Sequence, residues 1–338
     1  MSIGDIQVAS SQQKLTHGPR AGMRLVEPVK YLARHPVWLL GLGLFIFFSV
    51  TTSHFLTAYN LSNVLFQCAL VGLLATGLTP VIISGNIDLS VGAVVGLSSC
   101  LVIGMQEQIG LAGAIAVALG SGLCLGLLNG LAVERLGVSS FIITLAGMIG
   151  TRGLAFLYAG DTSLSAIDEQ LYDLSMLHVG PITLIPFVFL AAVLCLQWML
   201  RRTVHGRNTY AIGGSRSASI NAGIPVSRHV VINFIICGLM AAICGIAMAA
   251  NLGAATPSYG KDYELWAVIA VVLGGTRLRG GKGDLIGTFA AVLALAILRN
   301  GLNMLHVAPF YIPGIMGLAL IAALVLDRQL NRASKAAE

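Results

Sequence analysis

Charged side chains that lie between apolar segments are the first candidates for chemistry in this sequence. Asp88 lies in the octapeptide GNIDLSVG at residues 85–92, with an apolar segment on each side. An ionisable group among apolar segments is costly and is usually buried against a partner or a water-filled cavity. Two compatible interpretations are open: Asp88 and Ser90 cap the helix that follows, or Asp88 takes part in a substrate path.

Arg152 is the second charged candidate, because it lies in the middle of the apolar run Ser139–Ala159. The cost of a charge in lipid disfavours a position that faces lipid alone. The guanidinium then pairs with an acid, caps backbone carbonyls or faces a permeation path.

Catalytic and metal-binding patterns are not recognisable in the sequence. The cysteines lie in apolar segments without metal-ligand spacing, and the histidines form no pair on one predicted helix face. A glycine cluster around Lys282 resembles a phosphate-binding loop, but Gly283 stands where that motif requires serine or threonine. We therefore expect no catalytic residues, no metal site and no cofactor in this chain.

Composition indicates the class of protein that must position these residues. Of the 338 residues, 56% are hydrophobic and only 10% are charged, and the mean hydropathy is +0.86. Soluble domains have about 25% charged residues. The sequence therefore predicts an all-α polytopic integral membrane protein, surrounded by membrane lipid. The net charge of +6 does not indicate nucleic acid, because topology explains where the charges lie.

Ten apolar runs can be distinguished, and two of them, Val91–Met105 and Leu265–Thr276, are short for a spanning helix, which needs about 20 residues. Both adjoin glycine-rich polar segments, as the discontinuous helices of transporters do. We predict about ten transmembrane helices, some short or discontinuous. The other runs are Val37–Val50, Leu61–Ser84, Ile109–Val133, Ser139–Ala159, Pro181–Leu200, Val230–Ala250, Leu285–Leu305 and Phe310–Leu326.

Lysine and arginine predict the orientation, because they are enriched in cytoplasmic segments. With the N-terminus inside, 17 of the 20 lysine and arginine residues fall on the cytoplasmic side. The N- and C-termini are then both cytoplasmic. The predicted organisation is a largely disordered tail at 1–36, a transmembrane domain at 37–326 that includes a cytoplasmic loop at 201–229, and a cytoplasmic tail at 327–338.

The loop at 201–229 is the longest polar interruption, and it contains five arginines. Its pattern predicts a short helix: Ser215 is a favourable N-cap, Ser217–Ala222 can be helical, and Gly223 suits the left-handed position that ends a helix. Such a short helix needs a surface to dock on. The loop is either a solvated basic connection or a docking element for a soluble partner.

Several stretches carry a resemblance to one family. They are residues 210–214 (YAIGG) with Ala218 and 221–225 (NAGIP), the octapeptide 85–92, residues 141–145 (FIITL) with Arg152-Gly153, and 263–288 with its ordered glycines. Together they resemble the permease subunits of bacterial ribose-type ABC sugar importers. The resemblance covers Leu61 to Asp327, and the loop at 201–229 is similar to the coupling loop of that family.

The resemblance implies a permease subunit in the bacterial plasma (inner) membrane that translocates a monosaccharide or similar small polyol by alternating access. It implies a second permease subunit, identical or different, cytoplasmic ABC ATPase subunits that bind ATP and Mg, and an external substrate-binding protein. The alternatives are an ion-gradient-driven secondary transporter, which would need membrane-embedded acid or histidine relays, and a channel.

Two groups of site residues are predicted on this basis. A neutral sugar needs hydroxyl and amide partners, and the candidates for the substrate path are Asn86, Asp88, Ser90, Asn129, Thr144, Arg152 and Asn300. The candidates for coupling to the ATPase are Gly214, Ser215, Arg216, Ala218, Ala222 and Gly223.

Overall fold

The computed structural model describes residues 37–165, 170–175, 177–308, 310–318 and 321. Both predicted tails, 1–36 and 327–338, lie outside the described residues. The membrane-embedded part is helical, as the composition predicts. The long or apolar helices are α1 (Val37–Thr51), α2 (Ala58–Ile83), α3 (Val91–Leu136), α4 (Ser140–Ala159), α6 (Leu184–Arg202), α9 (Val226–Leu252), α10 (Tyr263–Leu273) and α11 (Leu285–Met304).

Shorter elements connect these helices. Two antiparallel pairs of two-residue strands form, β1 with β4 and β2 with β3. Residues 312–318 are helical as well, within the last predicted apolar run. The short elements are β1 (Leu164–Ser165), α5 (Gln170–Ser175), β2 (His178–Val179), β3 (Ile182–Thr183), α7 (Val204–Gly214), α8 (Arg216–Asn221) and β4 (Ala254–Ala255).

Six helices of the described part are long and apolar enough to cross a membrane: α2, α3, α4, α6, α9 and α11. Helix α3 has 46 residues, but Gly110 interrupts it with a non-helical backbone (φ 72, ψ 164). An uninterrupted helix of that length would measure about 70 Å, more than twice the hydrocarbon core of a bilayer. The break at Gly110 therefore corresponds to the two separate runs that the sequence predicted here.

Helix α10 is the clearest short segment. It has 11 residues, so it extends only about 17 Å, roughly half of the hydrocarbon core. The polar segments 274–284 and 253–262 adjoin its two ends. The prediction of a short helix with glycine-rich surroundings is thereby confirmed, whereas the total of ten spans stays a prediction.

Glycines allow α3 and α9 to pack with their backbones in contact. Gly122 and Gly126 lie four residues apart on one face of α3, and a Cβ on either would collide with a backbone carbonyl of α9, that of Gly238 or Phe234. Small residues at helix interfaces are the usual means of close approach in membranes, where burial of apolar surface does not drive association. This contact fixes the second half of α3 against the centre of the bundle.

Buried polar pairs join α2 to α11. Asn60 and Asn300 exchange two amide hydrogen bonds of 3.1 and 2.8 Å, and the hydroxyls of Thr79 and Thr288 lie 3.1 Å apart. Because buried amides and hydroxyls are costly without partners, these pairs favour a single register between the two helices.

One end of the bundle collects the segments that the basic residues predict to be cytoplasmic. The backbone N–H of Gly281 donates to the carbonyl of Ile83 at 2.9 Å, and the Tyr210 hydroxyl donates to the carbonyl of Gly283 at 2.8 Å. The glycine-rich segment around Lys282 is therefore a turn packed against the end of α2 and against α7.

Candidate substrate path and coupling elements

The octapeptide at residues 85–92 connects α2 to α3 and places Asp88 in the interior. Asp88 is only 1% exposed, and its Oδ1 accepts from the backbone N–H of Ser90 at 2.9 Å and from the Ser90 hydroxyl at 2.6 Å. Ser90 is the N-cap residue of α3, but its own side chain makes no capping hydrogen bond. The carboxylate of Asp88 thus closes the turn at the start of α3.

The second half of α3 and the first turn of α4 hold this turn in place. The Asn129 amide donates to the Ser90 hydroxyl at 2.9 Å, and the backbone N–H of Leu89 donates to the Thr144 hydroxyl at 3.1 Å. Four predicted path residues, Asp88, Ser90, Asn129 and Thr144, therefore meet at one place, where three chain segments converge.

Two other predicted path residues lie apart from this chain of hydrogen bonds. Asn86 is half-buried, and its amide donates to the carbonyl of Ser84 at 3.4 Å. Asn300 forms the buried pair with Asn60 on α2, and no hydrogen bond among the described residues connects it to the octapeptide.

Arg152 caps backbone carbonyls, which is one of the three interpretations that its sequence position left open. Its Nη1 donates to the carbonyl of Pro257 and, at 2.8 Å, to that of Tyr259. These carbonyls belong to the segment that leads from β4 to α10. The guanidinium is half-buried, and it also lines a cleft of about 440 Å³ beside α4.

The helix predicted in the loop at 201–229 forms as α8. The Ser215 hydroxyl accepts from the backbone N–H of Ala218 at 3.3 Å, and Gly223 has the predicted left-handed backbone (φ 74). The capping prediction is confirmed, although the helix begins at Arg216. Ala218, Ala222 and Ile220 are exposed, so α8 presents small and apolar residues outward.

Arg216 binds within the chain. Its guanidinium forms two hydrogen bonds with the carboxylate of Glu134, at 2.9 and 2.7 Å, and the Glu134 side chain is only 2% exposed. The hydrogen bonds to this carboxylate raise the pKa of Arg216. The pair ties the start of α8 to the end of α3, a contact that the sequence did not reveal because 82 residues separate the partners.

A pair of histidines joins α7 to α9. The sequence did not indicate this pair, because the two residues lie on different helices. Nδ1 of His205 lies 2.7 Å from Nδ1 of His229, and Nε2 of His205 lies 2.9 Å from the side-chain Oδ1 of Asn233. The Asn208 amide lies 2.9 Å from Nε2 of His229. One arrangement satisfies all three contacts: Asn208 donates to His229, His229 donates to His205, and His205 donates to Asn233.

Both rings are neutral in this arrangement. Burial is the main cause that lowers the pKa of His205, and the charge of Arg228 acts in the same direction. Since Asn233 also donates to the carbonyl of Pro80 at 3.3 Å, the chain of hydrogen bonds extends from α7 through α9 to α2. It connects the segment before α8, which the basic residues predict to be cytoplasmic, with two helices of the bundle.

Comparison with known proteins identifies the family. The model for "Branched-chain amino acid transport system / permease component" matches residues 60–324. The ribose import permease protein of Bacillus subtilis (strain 168) is 40% identical over 296 residues, which cover 85% of this chain and 91% of the relative. The corresponding protein of Escherichia coli (strain K12) is 35% identical, with 83% and 89% covered.

The L-arabinose transport system permease protein of Escherichia coli (strain K12) is 33% identical, with 86% of this chain and 89% of the relative covered. No solved structure matches the chain at a significant level. The family match covers most of the sequence, including the octapeptide, α8 and α10. The chain therefore belongs to this permease-component family, and it is a multi-pass membrane permease subunit of an ABC importer in the bacterial inner membrane, a transport subunit and not an enzyme.

Proposed function

We propose that the importer carries a monosaccharide or a similar small polyol. The observation that carries this proposal is the similarity over most of the chain to permeases named for ribose, L-arabinose and D-allose. The names agree on the chemical class of the substrate and differ in the individual sugar.

The proposed assembly has a second permease subunit, two cytoplasmic ATPase subunits that bind ATP and Mg, and an external binding protein that delivers the sugar. This chain contributes ten spans, with both termini in the cytoplasm. The contacts among Ile83, Tyr210 and residues 281–283 support this topology, because segments predicted to be cytoplasmic pack against one another.

In the proposed mechanism, α8 inserts into a groove of the ATPase subunit. Its cap at Ser215, its exposed Ala218 and Ala222 and the turn at Gly223 support this role. Gly214 precedes the cap and Arg216 anchors the helix to Glu134, so the helix has a fixed attachment to α3. Closure of the ATPases on ATP would move α8 and shift the bundle between two states that open to opposite sides.

The proposed path runs beside the octapeptide. Asp88, Ser90, Asn129 and Thr144 support its wall through their hydrogen bonds, and Arg152 fixes the segment before α10. Asn86 belongs to the same octapeptide, so we place it next to this wall. Asn300 would act at a separate point, between α2 and α11.

Purification of the tagged chain from its native membrane tests the assembly. We expect an ATPase subunit to co-purify in a fixed ratio, and we expect its ATP hydrolysis to rise when the sugar-loaded binding protein is added. Isolation of the permease without an ATPase, together with sugar uptake that needs no ATP, would refute the proposal.

A further inference from the structure

A cleft of about 440 Å³ lies between α4 and the segment that leads into α10, within the range of small-molecule sites. We name it the Arg152–Glu264 cleft. Four charged residues line it: Arg152 on α4, and Lys261, Asp262 and Glu264 around the start of α10. None of the last three was among the residues that the sequence suggested for a path.

The charges of the cleft balance, because two cationic and two acidic side chains face the same space. Balanced charge disfavours a ligand with a large net charge and leaves many donors and acceptors for a neutral polar ligand. A polyhydroxyl compound needs such a site, because each hydroxyl both donates and accepts.

Hydrogen-bonding capacity is left over in the cleft. Arg152 uses only Nη1 for its two carbonyl partners, and no partner for Nε or Nη2 occurs among the described residues. Glu264 is 8% exposed, yet its Oε2 has no hydrogen-bond partner in the described part of the chain. Asp262 precedes α10 in a left-handed conformation (φ 68), and its side chain makes no capping bond.

The α4 side of the cleft also carries apolar side chains beside Arg152. Ile149 and Phe156 of α4 line it, and they are 66% and 39% exposed. An apolar surface with an aromatic ring facing a few polar groups is the usual composition of a small-molecule site. A sugar ring presents C–H groups on its face and hydroxyls at its edge, so it matches a lining that combines apolar and polar side chains.

The cleft adjoins the octapeptide through two glycines at the start of α3. A Cβ on Gly92 would collide with Glu264 and with the carbonyl of Gly260, and a Cβ on Gly96 would collide with Arg152. The segment before α10 therefore lies directly on the first turns of α3, close to the turn that Asp88 closes.

We propose that the Arg152–Glu264 cleft binds the substrate during translocation, and that it selects a neutral polyhydroxyl compound. The polar side chains contact the hydroxyls, and Phe156 contacts the ring. This inference rests on the proposed import of a sugar. A zwitterionic amino acid also places its charges against an arginine and a carboxylate, so the experiment includes one.

The test uses protection of a cysteine from alkylation in the assembled complex, reconstituted with its ATPase and binding protein. Cys124 and Cys195, the two exposed cysteines, are first replaced by serine. Ile149→Cys then places a reactive thiol in the cleft. Leu157→Cys, on an 83% exposed position of α4 that does not line the cleft, is the matched control.

We expect D-ribose to slow alkylation of Ile149→Cys at least fivefold and to leave Leu157→Cys unchanged, with L-leucine protecting neither. Adding Glu264→Gln, which keeps the shape of the side chain, should raise the half-protecting ribose concentration about tenfold, because a charged hydrogen-bond acceptor is replaced by a weaker neutral one.

Three results would overturn the proposal, and they differ from one another. Equal or better protection by L-leucine would indicate an amino acid site. Unchanged alkylation in a complex that still imports ribose would remove the cleft from the path and leave the proposed function intact. A complex that imports no sugar at all would remove the proposed function and, with it, this inference.

Discussion

At the scale of single residues, Asp88 acts through the turn it closes. Its carboxylate is buried and accepts two hydrogen bonds from Ser90, whose hydroxyl in turn accepts from Asn129. We propose that the carboxylate supports the wall of the path from behind, and that it affects transport by fixing the start of α3.

Asp88→Ala should lower both the thermal stability of the purified permease and sugar uptake. The substitution leaves the backbone N–H and hydroxyl of Ser90 without their buried acceptor, a cost of about 1–3 kcal/mol. Asp88→Asn is the matched control, because its amide oxygen keeps an acceptor at the same place and should retain most of the stability. Equal melting temperatures for wild type and Asp88→Ala would contradict this role.

His205 predicts a dependence of stability on pH. Its folded-state pKa lies below the ordinary value of 6.5, so the neutral ring is favoured in the folded chain. The stability that the neutral ring contributes is fully present above about pH 6.5 and is lost as the pH falls toward the lowered folded-state pKa. We expect the melting temperature to fall below pH 6.5, and to fall less in His205→Gln, which has no group to titrate.

The same pH dependence in wild type and in His205→Gln would contradict the assignment. His229, in contact with His205, and Arg228 on the same helix are the neighbouring groups that must stay unchanged in this comparison.

At the scale of elements, α8 is the structural unit that the proposed coupling depends on. It is too short to be stable in isolation, and its position depends on the Ser215 cap, the Arg216–Glu134 pair and the turn at Gly223. In the proposed assembly, its exposed residues contact the ATPase.

Ala218→Trp should abolish ATP-dependent uptake by blocking the insertion of α8, while the permease stays in the membrane. Gly223→Val should have the same effect, because a β-branched residue is strained at a φ of 74°. Val204→Trp, a bulky change at an exposed position of α7, is the control and should leave uptake unchanged. Co-purification of the ATPase is the second readout. Normal ATPase binding and uptake in both α8 variants would exclude this loop as the coupling element.

Local chemistry in the sequence was sufficient to predict α8, since a cap, a glycine and a proline lie within eleven residues. It was not sufficient for α7, whose glycines disfavour a helix. Tertiary contacts stabilise α7 instead, among them the His205 chain and the hydrogen bond from Tyr210 to Gly283. Propensity alone does not include such contacts.

The candidate site likewise contains some residues that the sequence indicated and others that only the tertiary contacts bring in. The spacing within the octapeptide indicated Asp88 and Ser90, and the apolar surroundings singled out Arg152. The contribution of Lys261, Asp262 and Glu264 depends on how the segment after β4 folds back onto α3. The glycines at 92 and 96, four residues apart, are the signal that could have indicated this close approach.

At the scale of the whole molecule, contacts between the ends of the helices support the predicted topology. The strands β1 and β4 pair at the ends of segments predicted to be external, and the Glu134–Arg216 pair joins two segments predicted to be cytoplasmic. Contacts among the segments predicted to be external, and contacts among those predicted to be cytoplasmic, support the alternating direction of the spans that the basic residues predict.

Cysteine labelling tests this alternation. Single cysteines at Ser163 and Ser217, in a background without the native cysteines, should react with an impermeant reagent from opposite sides of the membrane. Ser163 lies beside β1, and Ser217 lies on α8; both are exposed. Labelling of both positions from outside whole cells would contradict the predicted topology.

Sugar uptake by vesicles in which the side of each component is controlled tests the central claim most directly. The complete complex is reconstituted, ATP is enclosed on the side of α8, and the sugar-loaded binding protein is added on the side of Ser163. The account predicts radiolabelled D-ribose uptake only with this arrangement, and no uptake when ATP or the binding protein is moved to the other side. Uptake by this chain alone under a proton or sodium gradient, without ATP, would contradict it.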